Sequence, residues 1–393
     1  MSINTTTSTT ANVFHNNTGH ASSSLSDWLQ LIRSRRWSRR QKYGLLNLLR
    51  SPLEVLRLSG CAADKLLTEI GLVDSVKRKK VHQQESRFDV AQDIDLMHRE
   101  GIKLITILDS AFPPSLKEIY DPPIALFSKG NLTLLQEPMV AIVGSRRPSP
   151  AGNSTVYKIS EELASMGIVI VSGLALGIDA TAHQGALAVD GGTIAVLGSG
   201  IDITYPARNS HLFARIEQSG LILSEYPPGF KPTRYSFPDR NRLVSGLSLG
   251  VVIAEAAEKS GTLITARLAL EQNREVMVMP GPAVSQQYIG SHRLVREGAA
   301  LVSSATDVLN ELYSGLGFHI DRNLSHSSWN CTNVGLNETQ LLIFELLDYV
   351  PISIDSIVLN SGLPHSMVIE TLLELELEGA VASSPEGGYI RRV

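Results

Sequence analysis

The strongest constraint on the fold is an alternation that begins at Gly101, where short apolar runs rich in β-branched residues are separated by segments with helical periodicity. The runs include MVAIVG, IVIVSG, TIAVLG, GVVIAEA and EVMVMPG. Strands that are buried on both faces read as continuous apolar runs, and a helix between two strands lets them run parallel. The sequence therefore predicts an α/β domain built on a doubly wound parallel sheet, extending to about Tyr313.

Several of the predicted strands end in glycine, and serine accompanies most of these glycines. The carboxyl ends of parallel strands share one edge, where doubly wound folds bind ligands. Glycine lets backbone N–H groups approach a phosphate, and the next helix N-terminus adds partial positive charge. A tight turn is the simpler explanation of any one loop, but four such loops, the last at Gly281, favour a binding site. The residues expected to line it are Gly144, Ser145, Ser172, Gly173, Gly198 and Ser199.

Cations accompany this predicted edge in two places. Arg146 follows the first glycine loop and is suited to a bidentate grip on a phosphate. The segment YSFPDRNRLVSGLS then combines arginines with an aromatic ring on which a base can stack. Cations interleaved with aromatic rings are typical of single-stranded nucleic-acid binding. The residues expected to contact DNA in and around this segment, and at a predicted helix start further on, are Lys231, Arg234, Phe237, Arg240, Asn241, Arg242, Ser260 and Thr262.

Internal bonding is the alternative for four of these residues. We expect one of Arg240 and Arg242 to pair with Asp239 or Glu255 inside the fold. The two hydroxyl groups at the predicted helix start either donate to a phosphate or cap their own helix.

Cofactor and catalytic motifs are weak or missing in the sequence. The first glycine loop is not GxGxxG, no acidic residue ends the second strand, and there is no GxxxxGK[ST]. Asp179 and His183 lie four residues apart on a predicted helix, but without a nearby third ligand a helix cap and a packed histidine explain them better than a metal. The loop serines do not lie in GxSxG. We therefore expect no cofactor, no metal and no catalytic residue.

The region before the sheet domain has a different composition. Residues 1–25 are rich in Thr, Ser and Asn, which predicts a disordered leader. Residues 26–85 contain short amphipathic helices with clustered arginines, whose basic face is either solvated or in contact with nucleic acid. We expect no membrane span, because no run of about 20 apolar residues occurs. The chain has only 2 cysteines, which fits a reducing cytoplasm.

The end of the chain reads as a separate acidic module. Residues 314–335 show no periodicity and predict a linker, whereas 336–393 read as three helices and a hairpin, the order of a winged helix. Residues 336–393 hold nine acidic and two basic side chains, a charge of −7, so the remainder carries +3 of the total of −4. The third helix has four glutamates and no Lys or Arg, which would repel phosphates. We therefore expect this module to contact protein.

Seven segments of the sheet domain form an ordered series: AIVGSRRPS, VSGLALGIDATAH, AVLGSGIDITYPARN, SEYPPGFKP, FPDRNRLVSGLS, VVIAEAAEKSGTLITA and VMVMPGP. In order and spacing this series resembles the DNA processing protein A family (DprA, also called Smf). The resemblance is close over about Phe112 to Val302 and weaker in both flanks. It implies a SAM/HhH-like helical domain at 26–85, a Rossmann-like DNA-binding domain at 86–313 and a winged-helix-like domain at 336–393.

The resemblance also implies a function. Family members are bacterial cytoplasmic proteins that bind single-stranded DNA, protect incoming strands and load the RecA recombinase during natural transformation, typically as homodimers. Carried over by motif, Arg146 would hold a phosphate in the glycine pocket and Phe237 would lie on the continuing DNA track. At His292 the family usually has asparagine, so a hydrogen bond by this side chain near the pocket is not carried over.

Two other functions are weighed against this one. The glycine-rich edge is also similar to that of phosphoribohydrolases of the lysine decarboxylase-like group, which cleave nucleoside monophosphates. Those enzymes have a GGxGT turn with catalytic Arg and Glu nearby, whereas the turn here is KSGTLITA, without the doubled glycine or the acidic partner. A transcription factor that acts through the winged helix is disfavoured by the acidic third helix. The leading hypothesis is a single-stranded-DNA-binding protein that is not an enzyme.

Overall fold

The computed structural model of the protein describes residues 24–72, 89–314, 337–347, 352–377, 380–383 and 388–391. The first of these ranges forms helices α1 Leu25–Arg33, α2 Arg39–Leu49, α3 Pro52–Arg57 and α4 Gly60–Glu69. Each helix follows a serine whose side chain accepts a backbone N–H from the first turn. The repeated serine caps explain why the sequence here forms several short helices instead of one long helix.

A nine-stranded sheet lies at the centre of residues 89–314. Its strands are β1 Lys103–Thr106, β2 Ala125–Gly130, β3 Met139–Val143, β4 Val169–Ser172, β5 Thr193–Leu197, β6 Leu221–Ser224, β7 Gly250–Ile253, β8 Glu275–Val278 and β9 Ala300–Leu301. Their spatial order is β1-β2-β6-β5-β4-β3-β7-β8-β9. The chain moves outward from β3 to β6, then returns to the other side of β3 and continues to β9, which places a topological switch point beside β3.

The strands from β6 to β9 in this order run parallel, which confirms the predicted doubly wound sheet. Strands β1 and β2 depart from that pattern, because β2 pairs antiparallel with both β1 and β6. A parallel crossover needs a connection of about a dozen or more residues, usually a helix. The only helix between β1 and β2 is the four-residue α6, Pro114–Lys117.

Helices cover both faces of the sheet. They are α5 Val90–Arg99, α7 Pro150–Ser165, α8 Ile178–Ala188, α9 Ser210–Ser219, α10 Ser236–Leu247, α11 Thr262–Glu271, α12 Ile289–Arg296 and α13 Ala305–Ser314. Alternate residues of β3 separate the two layers: Ala141 belongs to the apolar cluster that contains α10 and α11, and Ile142 to the cluster that contains α7 and α8. Both clusters are fully buried at β3, as expected for a strand covered on both faces.

The N-terminal helices share a core with the sheet domain. Trp28, Trp37 and Leu45 belong to the same buried cluster as Phe112 and the inner residues of β3. Helix α5, which falls inside the predicted range 86–313, packs against α1. The two regions are therefore joined by apolar packing, and the predicted domain boundary between them stays a prediction.

The last described segments form the predicted three helices and a hairpin. They are α14 Glu338–Leu346, α15 Ile354–Ser361, α16 His365–Leu377, β10 Val381–Ser383 and β11 Tyr389–Arg391, the two strands being antiparallel. Their buried residues form a separate apolar cluster. Glu374 accepts a hydrogen bond from Gln340 at 2.9 Å, and Glu376 accepts one from the Ser383 N–H at 3.1 Å. Part of the acidic character of α16 thus serves the internal structure of the module.

Several sequence predictions fall on residues outside the described ranges. These are nearly all of the predicted leader (1–25), nearly all of the predicted linker (314–335), Cys331, and Glu378 of the predicted third helix. In the part of the chain that is described, no helix is long and apolar enough to cross a membrane.

Candidate nucleic-acid interface

Three glycine loops lie side by side at the carboxyl edge of the sheet. Gly144 follows β3, Gly173 follows β4 and Gly198 follows β5, and these strands are parallel neighbours in that order. The fourth loop, with Gly281, follows β8 beyond β7. The sequence prediction that these loops share one edge is therefore confirmed, and the first three lie next to the switch point.

Arg240 brings a buried positive charge to this edge. It lies in α10 with only 6% of its surface exposed, and its guanidinium occupies the space that a side chain at Gly173 would fill. No hydrogen bond or ion pair within 4 Å ties the guanidinium to the described residues, and its Nε is buried without a partner. Burial, together with the charge of Arg146, lowers the pKa of Arg240, although Asp179 opposes the shift. An anion entering this pocket would supply the missing hydrogen-bond acceptors.

Arg146 and Phe237 lie at the same edge of the sheet. Arg146 is exposed in the loop after β3, and its guanidinium carbon lies 5.8 Å from the centre of the Phe237 ring. The half-buried ring of Phe237 packs over Gly198, where a side chain would come within 3.0 Å of the ring. The exposed ring of Tyr205 lies beside it, with 5.4 Å between the centroids. Two cations and two aromatic rings thus meet above three glycine loops.

Asp179 and His183 support this edge from below. One carboxylate oxygen of Asp179 accepts the N–H groups of Gly173 at 3.1 Å and Ala175 at 3.3 Å. These two hydrogen bonds hold the loop that leads into α8. His183 is fully buried, and its Nδ1 lies 2.7 Å from the hydroxyl of Thr193. Among the residues that the structure describes, no cluster of three or more metal-ligating side chains occurs. The packed histidine is confirmed, whereas the predicted helix cap was wrong, because α8 has no side-chain cap hydrogen bond and Asp179 accepts from the loop before it.

Arg242 has a different environment from Arg240. Its Nη2 lies 2.5 Å from a carboxylate oxygen of Glu225, and its Nε lies 3.6 Å from Asp121. Arg39, from the second helix, contacts the same two carboxylates at 3.0 and 2.8 Å. Arg39 also pairs with Asp239 at 2.6 Å. This carboxylate network, defined by Arg39, Asp121, Glu225, Asp239 and Arg242, occupies both arginines inside the fold.

The expectation that one of the two arginines pairs internally is confirmed for Arg242, but the expected partners were wrong. Asp239 is held by Arg39, and the Tyr226 hydroxyl donates to it at 3.0 Å. Glu255 accepts the backbone N–H of Ser149 at 3.0 Å and the hydroxyl of Tyr288 at 2.8 Å. The carboxylates that Arg242 does contact come from distant segments of the sequence.

Most hydroxyl groups of the predicted site are engaged within the fold. Ser172 is buried and donates to the Ile142 carbonyl at 2.6 Å, and Ser199 donates to the Ile203 carbonyl at 3.0 Å. The Ser145 hydroxyl accepts the N–H of Arg147 at 3.1 Å. These serines shape the loops, and their direct contact with DNA stays a prediction.

Of the two explanations offered for the KSGT turn, the helix cap is wrong, because α11 has no side-chain cap hydrogen bond, and contact with a phosphate stays a prediction. The Ser260 hydroxyl donates to the Thr262 hydroxyl at 2.9 Å and accepts the Thr262 N–H at 3.2 Å. The Thr262 hydroxyl also donates to the Gly144 carbonyl at 3.2 Å. The turn therefore adjoins the first glycine loop, but both of its hydroxyls already have partners.

The remaining predicted contacts lie on an exposed stretch between β6 and α10. Lys231 and Arg234 are exposed, and the Arg234 guanidinium carbon lies 4.6 Å from the ring centre of Tyr235, to whose hydroxyl it also donates. Asn241 is half-buried in the first turns of α10. Lys231 and Arg234 are therefore accessible to a DNA backbone.

His292 does form a hydrogen bond at the edge. Its Nε2 lies 3.2 Å from the carbonyl oxygen of Gly281, and its ring is stacked 6.1 Å from that of Tyr288. His292 thus makes a polar contact with the loop after β8.

The sequence did not predict Tyr205 as part of this region, and it placed Arg39, one of the clustered arginines of residues 26–85, on a face either solvated or in contact with nucleic acid. Tyr205, in the segment ITYPARN, contributes the second aromatic ring, and its place directly after a glycine loop was a usable signal. Arg39 organises the carboxylate network from a helix about 200 residues earlier, and no local pattern connects it to Asp239.

Comparison with known proteins agrees with the fold. Residues 103–313 match the family described as DNA recombination-mediator protein A, and residues 333–387 match the DprA winged helix domain. Protein Smf of Escherichia coli strain K12 is 43% identical over 286 residues, covering 72% of this chain and 76% of its own length. Protein Smf of Synechocystis is 35% identical over 393 residues, covering 91% of this chain and 97% of its own.

Solved structures give the same result. An X-ray structure of DprA from Streptococcus pneumoniae superposes with a TM-score of 0.60 at 36% identity, covering 74% of this chain and 98% of the other. A DprA structure from Helicobacter pylori, described by its single-stranded DNA binding mode, gives 0.50 at 36% identity and covers 56% of this chain and 97% of the other. With the sheet domain, the winged helix and the ordered glycine loops in place, the chain belongs to the DNA processing protein A (DprA/Smf) family.

Proposed function

We propose that this protein binds single-stranded DNA along the carboxyl edge of its sheet. The observation that carries the proposal is the buried guanidinium of Arg240, which lies over Gly173 with no anionic side chain within ion-pair distance in the described structure. A buried charge without a partner is costly, and ligand sites are where such a cost is retained. The relative from Helicobacter pylori, described by its single-stranded DNA binding mode, supports the choice of ligand.

The surroundings of Arg240 favour a single strand over a duplex. Arg146 supplies a second, exposed cation, and Phe237 with Tyr205 supplies aromatic surface beside it. Bases can stack on such rings only when they are not paired inside a duplex. Lys231 and Arg234 extend the positive charge away from the pocket. We therefore propose that phosphates lie over the glycine loops and that one base stacks on Phe237.

The wider role follows from family membership and is part of the same proposal. We infer that the protein protects incoming DNA and loads the RecA recombinase during natural transformation, acting as a cytoplasmic homodimer without catalysing a reaction on DNA. The relatives named DNA processing protein DprA support the link to DNA processing. The domain limits of 26–85, 86–313 and 336–393 are proposed with it.

The first test is a salt titration of oligonucleotide binding. Single-stranded and duplex oligonucleotides are compared for the wild type, for Arg146→Ala and for Arg57→Ala, which removes an equal charge from an exposed site on α3. We expect the wild type to prefer the single strand. We also expect Arg146→Ala to flatten the plot of log affinity against log salt by about 0.7, the slope of one phosphate contact on a single strand.

The control variant sharpens the interpretation. Arg57→Ala should leave both affinity and salt slope unchanged. Equal binding of the two oligonucleotides, or an unchanged slope in Arg146→Ala, would contradict the proposed site. Release of free base from nucleoside monophosphates would instead support the phosphoribohydrolase alternative.

A further inference from the structure

The segment that joins β6 to α10 carries much of the proposed DNA track. We call residues 225–239, which comprise this segment and the first turn of α10, the cationic loop, because its exposed charged side chains are those of Lys231 and Arg234. On the sheet side it is held by Asp202, whose carboxylate accepts the Gly229 N–H at 2.9 Å. The N-terminal helices supply further anchors.

Arg39 ties the two ends of the cationic loop together. Its Nη1 donates to Glu225 at 3.0 Å and to Asp239 at 2.7 Å, and its Nη2 donates to the second Asp239 oxygen at 2.6 Å. Glu225 is the first residue of the loop and Asp239 the last. A rigid planar guanidinium can span two carboxylates in this way, whereas a lysine ammonium acts as a single point charge.

Arg33 holds the middle of the same loop. Its Nη2 donates to the Pro228 carbonyl at 3.0 Å, while its Nε and Nη2 grip Asp93 of α5 at 2.6 and 2.7 Å. The bidentate bond to Asp93 fixes the direction of the guanidinium. Two arginines from helices before residue 50 therefore contact the cationic loop at its beginning, middle and end.

The charges of the network leave Arg39 unsuited to direct DNA contact. Arg39 and Arg242 face the three carboxylates of Asp121, Glu225 and Asp239, so the network carries a net charge of −1. Burial opposes the charged form of Arg39, but its hydrogen bond to Asp239 and the other two carboxylates raise its pKa above the ordinary value. Arg39 is thus charged under all working conditions and fully engaged by carboxylates.

We propose that the N-terminal helices act as a clamp that fixes the cationic loop in its DNA-binding geometry, with Arg39 as the main positioning residue. This inference rests on the proposed function of the edge, because it gives the helical region a role in that binding. It predicts that Arg39 affects DNA affinity without contacting DNA.

The test compares three variants of the full-length protein. Arg39→Ala removes the clamp, Arg39→Lys keeps the charge without the fork, and Arg40→Ala is the matched control. Arg40 lies on the same helix but contacts Tyr120, outside the cationic loop. Hydrogen exchange of backbone amides in residues 226–237 is measured without DNA, and single-strand affinity is then titrated with salt.

We expect faster exchange across the cationic loop in Arg39→Ala, because its local opening becomes easier. Affinity should fall by about tenfold, the loss that follows if the loop adopts the binding arrangement about a tenth of the time. The salt slope should stay at the wild-type value. Arg39→Lys should fall between the wild type and Arg39→Ala, and Arg40→Ala should match the wild type in both measurements.

Three results would overturn the inference. They are unchanged exchange of the loop in Arg39→Ala, a salt slope that falls by about 0.7, which would make Arg39 a direct phosphate contact, and equal effects of Arg40→Ala. If Arg39→Ala does not fold, the partial effect of Arg39→Lys decides the question. A wild type that binds no single strand would refute the proposed function instead, and the exchange data would still report on the clamp.

Discussion

Arg240 and Arg242 lie two residues apart on α10, with 6% and 5% of their surfaces exposed, yet their surroundings are opposite. Arg242 pairs with Glu225 at 2.5 Å and lies 3.6 Å from Asp121. Arg240 has no ion pair within 4 Å among the described residues and lies over a glycine loop. Equal burial therefore does not show whether a buried arginine is structural or available to a ligand. What distinguishes the two arginines is whether a carboxylate lies within ion-pair distance.

The comparison separates a structural charge from one that is available to a ligand. In a buried ion pair the two charges compensate each other, and removal of one side chain leaves the other charge buried and uncompensated. A buried cation that forms no ion pair keeps its capacity to bind an anion and weakens the fold for as long as the site is empty. Function–stability trade-offs of this kind are common at binding sites. Substituting methionine at each position keeps most of the side-chain volume and tests the difference directly.

Arg242→Met should give the largest effect of these variants, and the effect should be on the free energy of unfolding. Removal of the guanidinium leaves Glu225 with Arg39 as its ion-pair partner in the described structure, so the free energy of unfolding should fall by about 3 kcal/mol, the lower end for a broken buried pair. Urea denaturation measures this loss. The salt slope of DNA binding should not change, and a slope lower by about 0.7 would show that Arg242 contacts a phosphate, as the sequence first suggested.

Arg240→Met should give the converse result. The free energy of unfolding should stay within about 1 kcal/mol of the wild type, because no ion pair is lost in the described structure. Single-strand affinity should fall by about 2 kcal/mol, the range of a charge-assisted hydrogen bond, with a salt slope reduced by about 0.7. The same denaturation and titration experiments measure both. If stability falls as far as in Arg242→Met, the two arginines have the same role and the comparison fails.

The sequence predicted the glycine loops of the site, because each of them is marked by a local pattern, an apolar run that ends in glycine. Gly144, Gly173 and Gly198 each follow an apolar run, and parallel strands bring such ends to one edge wherever the sheet lies. No sequence feature of this kind predicts the antiparallel pairing of β1 and β2, because an apolar run does not show whether its strand is parallel or antiparallel to its neighbour. Short connections without a long helix were the available clue.

The different roles of Arg240 and Arg242 could not be predicted from the neighbouring sequence. Glu225 lies 17 residues from Arg242, and Asp121 lies in a different segment before the first parallel strand. Arg39 reaches Asp239 across 200 residues. Which carboxylate meets which arginine depends on the tertiary arrangement of these segments, so the sequence could state that one arginine would pair but not with which partner.

Phe237→Ala tests the aromatic side of the Arg240 pocket and should have a smaller effect. We expect a loss of roughly 1.5 kcal/mol in single-strand affinity, within the range for one stacked base, since part of the ring is already covered by Gly198. The salt slope should remain unchanged because no charge is removed. Tyr205→Ala is a useful companion, as it removes the neighbouring exposed ring. An affinity equal to wild type in Phe237→Ala would place the base elsewhere.

The smallest expected effect concerns the acid sensitivity of the support beneath Arg240. Burial, together with the charge of Arg240, lowers the pKa of His183 to about 3 in the folded protein. The unfolded chain takes up this proton near pH 6.5, so the stability that depends on neutral His183 is complete above about 6.5 and is lost progressively as pH falls towards 3. Between pH 7.5 and 5.5 this should lower the free energy of unfolding by about 1.3 kcal/mol.

Denaturation at the two pH values isolates this contribution when the wild type is compared with His183→Gln. The glutamine variant is less stable at pH 7.5 because it loses the contact with Thr193, but the pH-dependent part should vanish. His211→Gln, at an exposed position on α9, should keep the wild-type pH dependence. If the pH dependence survives in His183→Gln, another group dominates. In that case the positive charge of Arg240 does not determine the acid sensitivity of α8, the helix that carries His183.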